Sequence, residues 1–347
     1  MDCECFVSNG ALEFIKFLVI IILFSSFGFA ANDTGEAVDF SIENDSRTLG
    51  GPGSDNAYTN GFRFSYIWSN KTIPNWANVI FLKSKYLQEE LKNSKTNFGL
   101  SIAQQIFTPN DIQDANLIVN DRPYAAWLYL GFTASFKTEG LRHSIEVDVG
   151  VIGPEAAGEA VQNGFHSTVG IKKAQGWKYQ LKTEPTLQIN YQARRKYFEL
   201  KNSMADKYFD IIPYYGFALG NVSDTIHIGG LLRIGYKLPD DFGPSRISSS
   251  DGVDFVLPTQ KNSLISSIYG FTGARLIGVG RNIFLDGNSF QKSQSVTRQL
   301  LVAETEIGTG VLLQDWTVIW RFVSRSPEFY EKNQYNSFAS VSLFYAF

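Results

Sequence analysis

The chain of 347 residues has only two cysteines, Cys3 and Cys5, both at its start. A leader removed from that end leaves no thiol, which excludes a disulfide framework and a cysteine-based metal site. Charge is sparse too: 19% of residues are charged and the net is −3. Without a basic excess, a nucleic-acid partner has no electrostatic footing. Long apolar runs are missing except at residues 17–31, so the chain does not read as a helical membrane protein. Lys16 precedes that run, and Gly28, Phe29 and Ala30 close it. Residues 1–30 therefore read as a signal peptide and 31–347 as a single domain. There are three histidines in all, and no Gly-x-Ser-x-Gly elbow, His-Glu-x-x-His zinc motif or phosphate-cradling glycine loop.

What is present points to strands. Aromatic residues make up 14% of the chain, with 28 Phe, 16 Tyr and 30 Gly. In residues 58–68, Phe62, Phe64, Tyr66 and Trp68 share one side, and Gly61, Arg63, Ser65 and Ile67 the other. In residues 141–152, Ile145, Val147, Val149 and Val151 alternate with Ser144, Glu146, Asp148 and Gly150. Charges at every second position suit a lumen, with the valines facing lipid. The end of the chain behaves alike: Phe347, Tyr345, Leu343 and Val341 share a face opposite Ala346, Ser342 and Ser340. The expected fold is all-β, an antiparallel transmembrane β-barrel of about 12 strands. The strands are predicted at 37–44, 58–68, 97–107, 124–136, 141–152, 180–198, 208–218, 225–236, 263–279, 296–306, 308–323 and 337–347. An up-and-down count puts the long loop 239–257 on the periplasmic side, where turns should be short.

Residues 153–170 interrupt the alternation and predict a short extracellular helix with Pro154 at its first position. Glu155, Glu159, Gln162 and His166 fall on one stripe, and Val161, Phe165 and Thr168 on another face. Gly158 and Gly164 weaken this helix, so it needs a surface to lean on. With a periplasmic N-terminus, Asn44 and Asp45, Thr59, the loop after Thr108, Asp121 and the helix of His166 all reach the outer rim on neighbouring staves. His143 reads as interfacial and His227 as a lumen residue. Asn44 and Asp45 are oxygen ligands of the kind calcium prefers, and equally a common strand-to-loop transition. A histidine with no partner nucleophile suggests water as the attacking group.

Several blocks together resemble the outer-membrane lipid A 3'-O-deacylase family. They are Ile42-Glu43-Asn44-Asp45, Tyr58-Thr59-Asn60-Gly61, the run from Asp121 to Tyr129, Gly150-Val151-Ile152-Gly153-Pro154, Val161-Gln162-Asn163 with His166, and Gly176-Trp177 with Gln180. The resemblance implies a site between the wall and an extracellular helix, where calcium-dependent hydrolysis removes the 3'-acyloxyacyl group of lipid A. It implies His166 as general base, Asn44 and Asp45 as calcium ligands, and Thr59 and Gln162 lining the site to orient water or the ester. Residues 108–121 hold no Lys or Arg, so Arg122, Arg63 or Lys172 is left to meet a substrate phosphate. Lipopolysaccharide in the outer membrane is the implied partner, and no protein partner is suggested. An outer-membrane phospholipase, or a catalytically silent barrel or porin, would share much of this sequence pattern.

Overall fold

The computed structural model describes residues 35–45, 50–51, 57–70, 94–247 and 265–347. The predicted leader lies outside them. The strands are β1 (Glu36–Asn44), β2 (Ala57–Asn70), β3 (Lys95–Thr108), β4 (Ala125–Lys137), β5 (Leu141–Ile152), β6 (Glu184–Arg195) and β7 (Phe198–Lys201). They continue with β8 (Lys207–Gly220), β9 (Ser223–Tyr236), β10 (Ser267–Asn282), β11 (Leu301–Leu313), β12 (Trp316–Arg325) and β13 (Asn336–Ala346). Among the described residues two α-helices interrupt them: α1 (Gly158–Val169) and α2 (Ile283–Asp286).

Neighbours in sequence pair antiparallel, β1 pairs with β13, and β6 pairs with β8, so the sheet closes on itself. The short β7 continues β6 along the same edge of β8, which makes 12 staves. Closure satisfies the backbone groups that a sheet edge would leave open in lipid. Among the described residues no helix is long and apolar enough to cross a membrane. The crossing is made by strands.

Parity decides what faces where. Phe64, Leu100, Leu130, Val149, Ile226 and Ile234 are exposed on the outside, while Arg63, Glu146, Asp210, Arg233 and Glu304 are buried in the lumen. Inside, charges meet in pairs: Arg63 lies 2.9 Å from Glu146, Arg233 2.7 Å from Asp210, and both Arg275 and Arg325 2.6 Å from Glu304. Removing one member of such a buried pair costs about 3–5 kcal/mol, because its partner keeps an uncompensated charge.

Two expectations need correction. The reversal expected near Ile307 lies at Gln314 and Asp315, between β11 and β12. Gly308 and Gly310, expected at the start of the strand 308–323, lie instead within β11, where a Cβ would strike the rings of Phe271 and Tyr269 at 2.3 Å. They are strand glycines covered by aromatic side chains. The second correction concerns the long periplasmic loop. Residues 238–247 turn up into the lumen, with Phe242 fully buried. Arg194 on β6 donates to the carbonyls of Phe242 (2.8 Å) and Pro244 (3.3 Å), and Arg321 on β12 donates to those of Pro244 (3.3 Å) and Ser245 (3.1 Å). This segment is a plug rather than a turn.

Candidate active site

The site is built on the outside of the wall. Along β3 the outward row ends in Gln104, Ile106 and Thr108, all buried although they face away from the lumen. What buries them is the β5–β6 connection. Gln104 donates its amide to the carbonyl of Ala156, in the single helical turn Pro154–Ala156 that precedes α1. Ala157 then takes a left-handed conformation and α1 starts at Gly158. Pro154 thus opens a separate turn instead of the helix itself. A Cβ on Gly158 would lie 2.5 Å from that of Ala126 and 2.6 Å from the Trp177 ring, so only glycine lets the helix approach β4 this closely.

Only half of the expected polar stripe turns inward: Glu155, in the separate turn, and Glu159 are exposed. Gln162 and His166 are 4% and 1% exposed, whereas Val161 and Phe165 stand 38% and 47% exposed on the side away from the wall. An apolar core of Ile106, Ile112, Tyr124, Ala126, Ala174 and Trp177 closes under it. Gly170 ends α1 with φ 75°, a left-handed cap that suits glycine. The chain then doubles back, and the carbonyl of Lys172 comes to 2.8 Å from His166 Nδ1. Asn163 clamps the same return, accepting from the Ala174 amide at 2.7 Å and donating to its carbonyl at 3.2 Å. Trp177 Nε1 donates to Gln162 Oε1 at 2.8 Å, and no hydrogen bond engages the buried Gln162 Nε2.

The second half of the site lies at the tops of β1 and β2. Asn44 and Asp45 are buried, and the Asp45 amide donates to the Thr59 carbonyl at 3.3 Å. The Thr59 and Thr108 hydroxyls share a hydrogen bond of 2.7 Å, which joins β2 to the outward row of β3 beneath the helix. Asn44 and Thr59 thus stand on the neighbouring strands β1 and β2 with Asp45 just beyond, Thr108 continues the row onto β3, and Gln162 and His166 come from α1, which leans on β4. Thr108, Gln104, Asn163 and Trp177 complete the framework. Their roles were not legible in spacing, because each acts through a partner distant in sequence.

The expected cations separate. Arg63 faces the lumen, held at 2.9 Å by both oxygens of Glu146, and does not join the outer face. Arg122 is fully buried at the rim between the rings of Phe107 and Phe329, 2.7 Å from Glu328. Lys172 keeps an exposed side chain. A cation the sequence reading missed is Lys332, half-buried in the β12–β13 connection. Burial, then Arg122, pushes its amine down to about 8, against the pull of Glu328, Asp121 and Asp45. His143 bonds Tyr191 on the lipid side (2.8 Å), and His227 lies in the lumen beside Gln192 (3.3 Å), as parity indicated.

Comparisons with known proteins agree with this architecture. The family profile described as "Outer membrane protein LpxR" matches residues 17–347. The solved structure of LpxR from Salmonella typhimurium superimposes with a TM-score of 0.71 at 19% identity, covering 90% of this chain and 100% of that one. The translocator domain of the autotransporter NalP from Neisseria meningitidis is similar at a TM-score of 0.39 and 10% identity, covering 99% of each chain. No curated protein sequence matches.

Proposed function

The chain belongs to the LpxR outer membrane protein family, and on that premise we propose that it hydrolyses lipid A in the outer leaflet, removing the 3'-acyloxyacyl group with water as nucleophile. The observation that carries this reading is the buried imidazole of His166 on the lipid side of the wall, with Nδ1 against the Lys172 carbonyl. A carbonyl only accepts, so Nδ1 holds the proton and Nε2 keeps its lone pair. A fixed tautomer of this kind can take a proton from water near neutral pH. Gln162 has its carbonyl end occupied by Trp177, which leaves the amide Nε2 as the end that donates to water or to the ester oxygen.

The donors near the rim suit calcium. The Asn44 amide oxygen, the Asp45 carboxylate and the hydroxyls of Thr59 and Thr108 are all hard oxygen ligands. Among the described residues no three of His, Cys, Asp and Glu gather as a metal centre, so Asn44 and Asp45 would need backbone carbonyls and water to complete the six to eight oxygens calcium takes. When bound, calcium would stabilise negative charge developing on the ester oxygen.

His166→Ala should leave a folded, heat-modifiable barrel that releases no acyl group from lipid A, measured by mass spectrometry of the lipid. Full release by that variant would remove His166 from the reaction. Chelation should stop turnover reversibly, with calcium restoring it; a rate indifferent to chelator would reject the metal role. Offering purified protein both lipid A and glycerophospholipid separates the deacylase from a phospholipase on the same fold.

A further inference from the structure

The plug reaches the site. From Leu238, whose amide donates to the Lys207 carbonyl at 2.7 Å on the inner rim, the segment climbs the lumen to Ile247. There the Ile247 amide donates to Glu43 Oε1 at 3.1 Å, and Tyr58 donates its hydroxyl to Glu43 Oε2 at 2.8 Å. Glu43 is fully buried and is the residue before Asn44. The adjoining plug residue, Arg246, lies 2.6 Å from Glu304. Glu304 leads on through Arg325 (2.6 Å) and Glu328 (3.2 Å) to Arg122 (2.7 Å), beside Phe107 at the rim. Two chains of contacts therefore run from the plug tip to the end of β1 and its surroundings.

We infer that the plug tip, through the Ile247 amide on Glu43, positions the end of β1 that carries Asn44 and Asp45. The reasoning is one of pleat. Side chains alternate along a strand, so pinning Glu43 inward aims Asn44 outward, and a slip or twist at Glu43 would turn its neighbour off the outer face. β1 ends at Asn44, so the next residue has no further ladder to hold it. Asp45 bonds β2 through its amide at 3.3 Å, a long contact. The lumen anchor thus adds a hold on the residue before Asn44 to the ladders that pair Asn44 with Ala339 and Asn60. Ile247 and Glu43 touch neither lipid nor the reacting atoms in this account and act as positioning residues. The consequence for metal affinity rests on the calcium reading of Asn44 and Asp45; the ordering of the strand end does not.

The test uses the full chain in detergent, with hydrogen exchange of the peptide spanning residues 42–45 and the calcium concentration for half-maximal lipid A hydrolysis. Ile247→Pro removes the donor, and Tyr58→Phe removes the second anchor should the first variant fail to fold. Either should speed exchange at Asn44 and Asp45 about tenfold or more. Half-maximal calcium should rise about tenfold, while the rate at saturating calcium stays within about twofold. Glu43→Gln, which keeps an oxygen to accept from Ile247, should restore slow exchange relative to Glu43→Ala. Unchanged exchange at residues 43–45 in folded variants would overturn the inference. Faster exchange in a protein whose wild type ignores calcium would uphold the positioning and reject the metal reading instead.

Discussion

At the scale of single residues, the site depends on groups that fix other groups. Trp177 is the clearest case: its indole N–H holds Gln162 at 2.8 Å while its ring fills the space beneath Gly158. Trp177→Phe keeps most of the ring and deletes the donor, leaving the Gln162 oxygen buried and unsatisfied. The variant should lose about 1–3 kcal/mol of stability and about tenfold in turnover, read as a lower melting temperature and a lower kcat on lipid A. Equal kcat would show that Gln162 needs no orienting partner. His166 drew notice in the sequence as the one of three histidines on a non-strand element, and its expected role came from the resemblance to the deacylase family. That Arg63 points inward was legible from parity, since it shares a side with Ser65 and Ile67. The clamp of Asn163 on Ala174 was not, because spacing says nothing about how a chain returns after a helix.

At the scale of elements, α1 shows why amphipathicity alone can mislead. Its apolar residues Val161 and Phe165 look outward, while Gln162 and His166 are buried against the wall and Glu159 on the same stripe stays exposed. Its two glycines have different standing. Nothing lies within 4 Å of a Cβ on Gly164, while one on Gly158 strikes Ala126 and Trp177. Gly164→Ala should therefore stabilise the barrel by about 1 kcal/mol. Gly158→Ala should lower the melting temperature and turnover together, as the helix is pushed off β4; thermal unfolding with a parallel hydrolysis assay checks both. The strands of the first half could be read nearly to the residue, since long runs there alternate without interruption. The β11–β12 reversal was misplaced by several residues: Gly308 and Gly310 belong to β11, where the rings of Phe271 and Tyr269 cover them. The plug left only an inconsistency in the strand count, for its partners, Arg194 and Arg321, come from distant staves.

At the scale of the molecule, the described residues fill the lumen from both ends. Below lies the plug; above, α2 buries Ile283, Phe284 and Leu285, with Phe284 stacked 3.9 Å from Phe107. Between them remains a cavity of about 160 Å³, lined in part by Tyr129, Asp148 and His227. A passive porin needs a continuous aqueous path, so the purified protein should give no steady open-channel steps in a planar bilayer at neutral pH. The inner end is held by charge. Burial pushes the carboxyls of Asp240 and Asp241 up, but Lys196 beside the first and Arg233 beside the second hold both below the ordinary aspartate value. Carboxylates depressed in the folded state contribute stability that is complete above about pH 4 and lost as pH falls through their folded values. Lys137 acts on both acids in the same direction, and Lys207 on Asp240. Conductance should therefore stay absent at about pH 5–8 and appear, if the plug loosens, only in stronger acid; a double Asp240→Asn, Asp241→Asn variant should show steps at neutral pH. Steady steps from the unaltered protein at neutral pH would contradict the closed lumen.

The joint between β1 and β13, running from Ala37 opposite Ala346 to Asn44 opposite Ala339, has a kinetic consequence. Every other pairing in the wall joins strands close in sequence and can zip locally, while this one must bring together segments separated by nearly the whole polypeptide. Until it forms, two raw strand flanks stay available to any passing chain. Assembly is therefore most vulnerable at its last stitch, which is also the one that places Asn44 in its final setting.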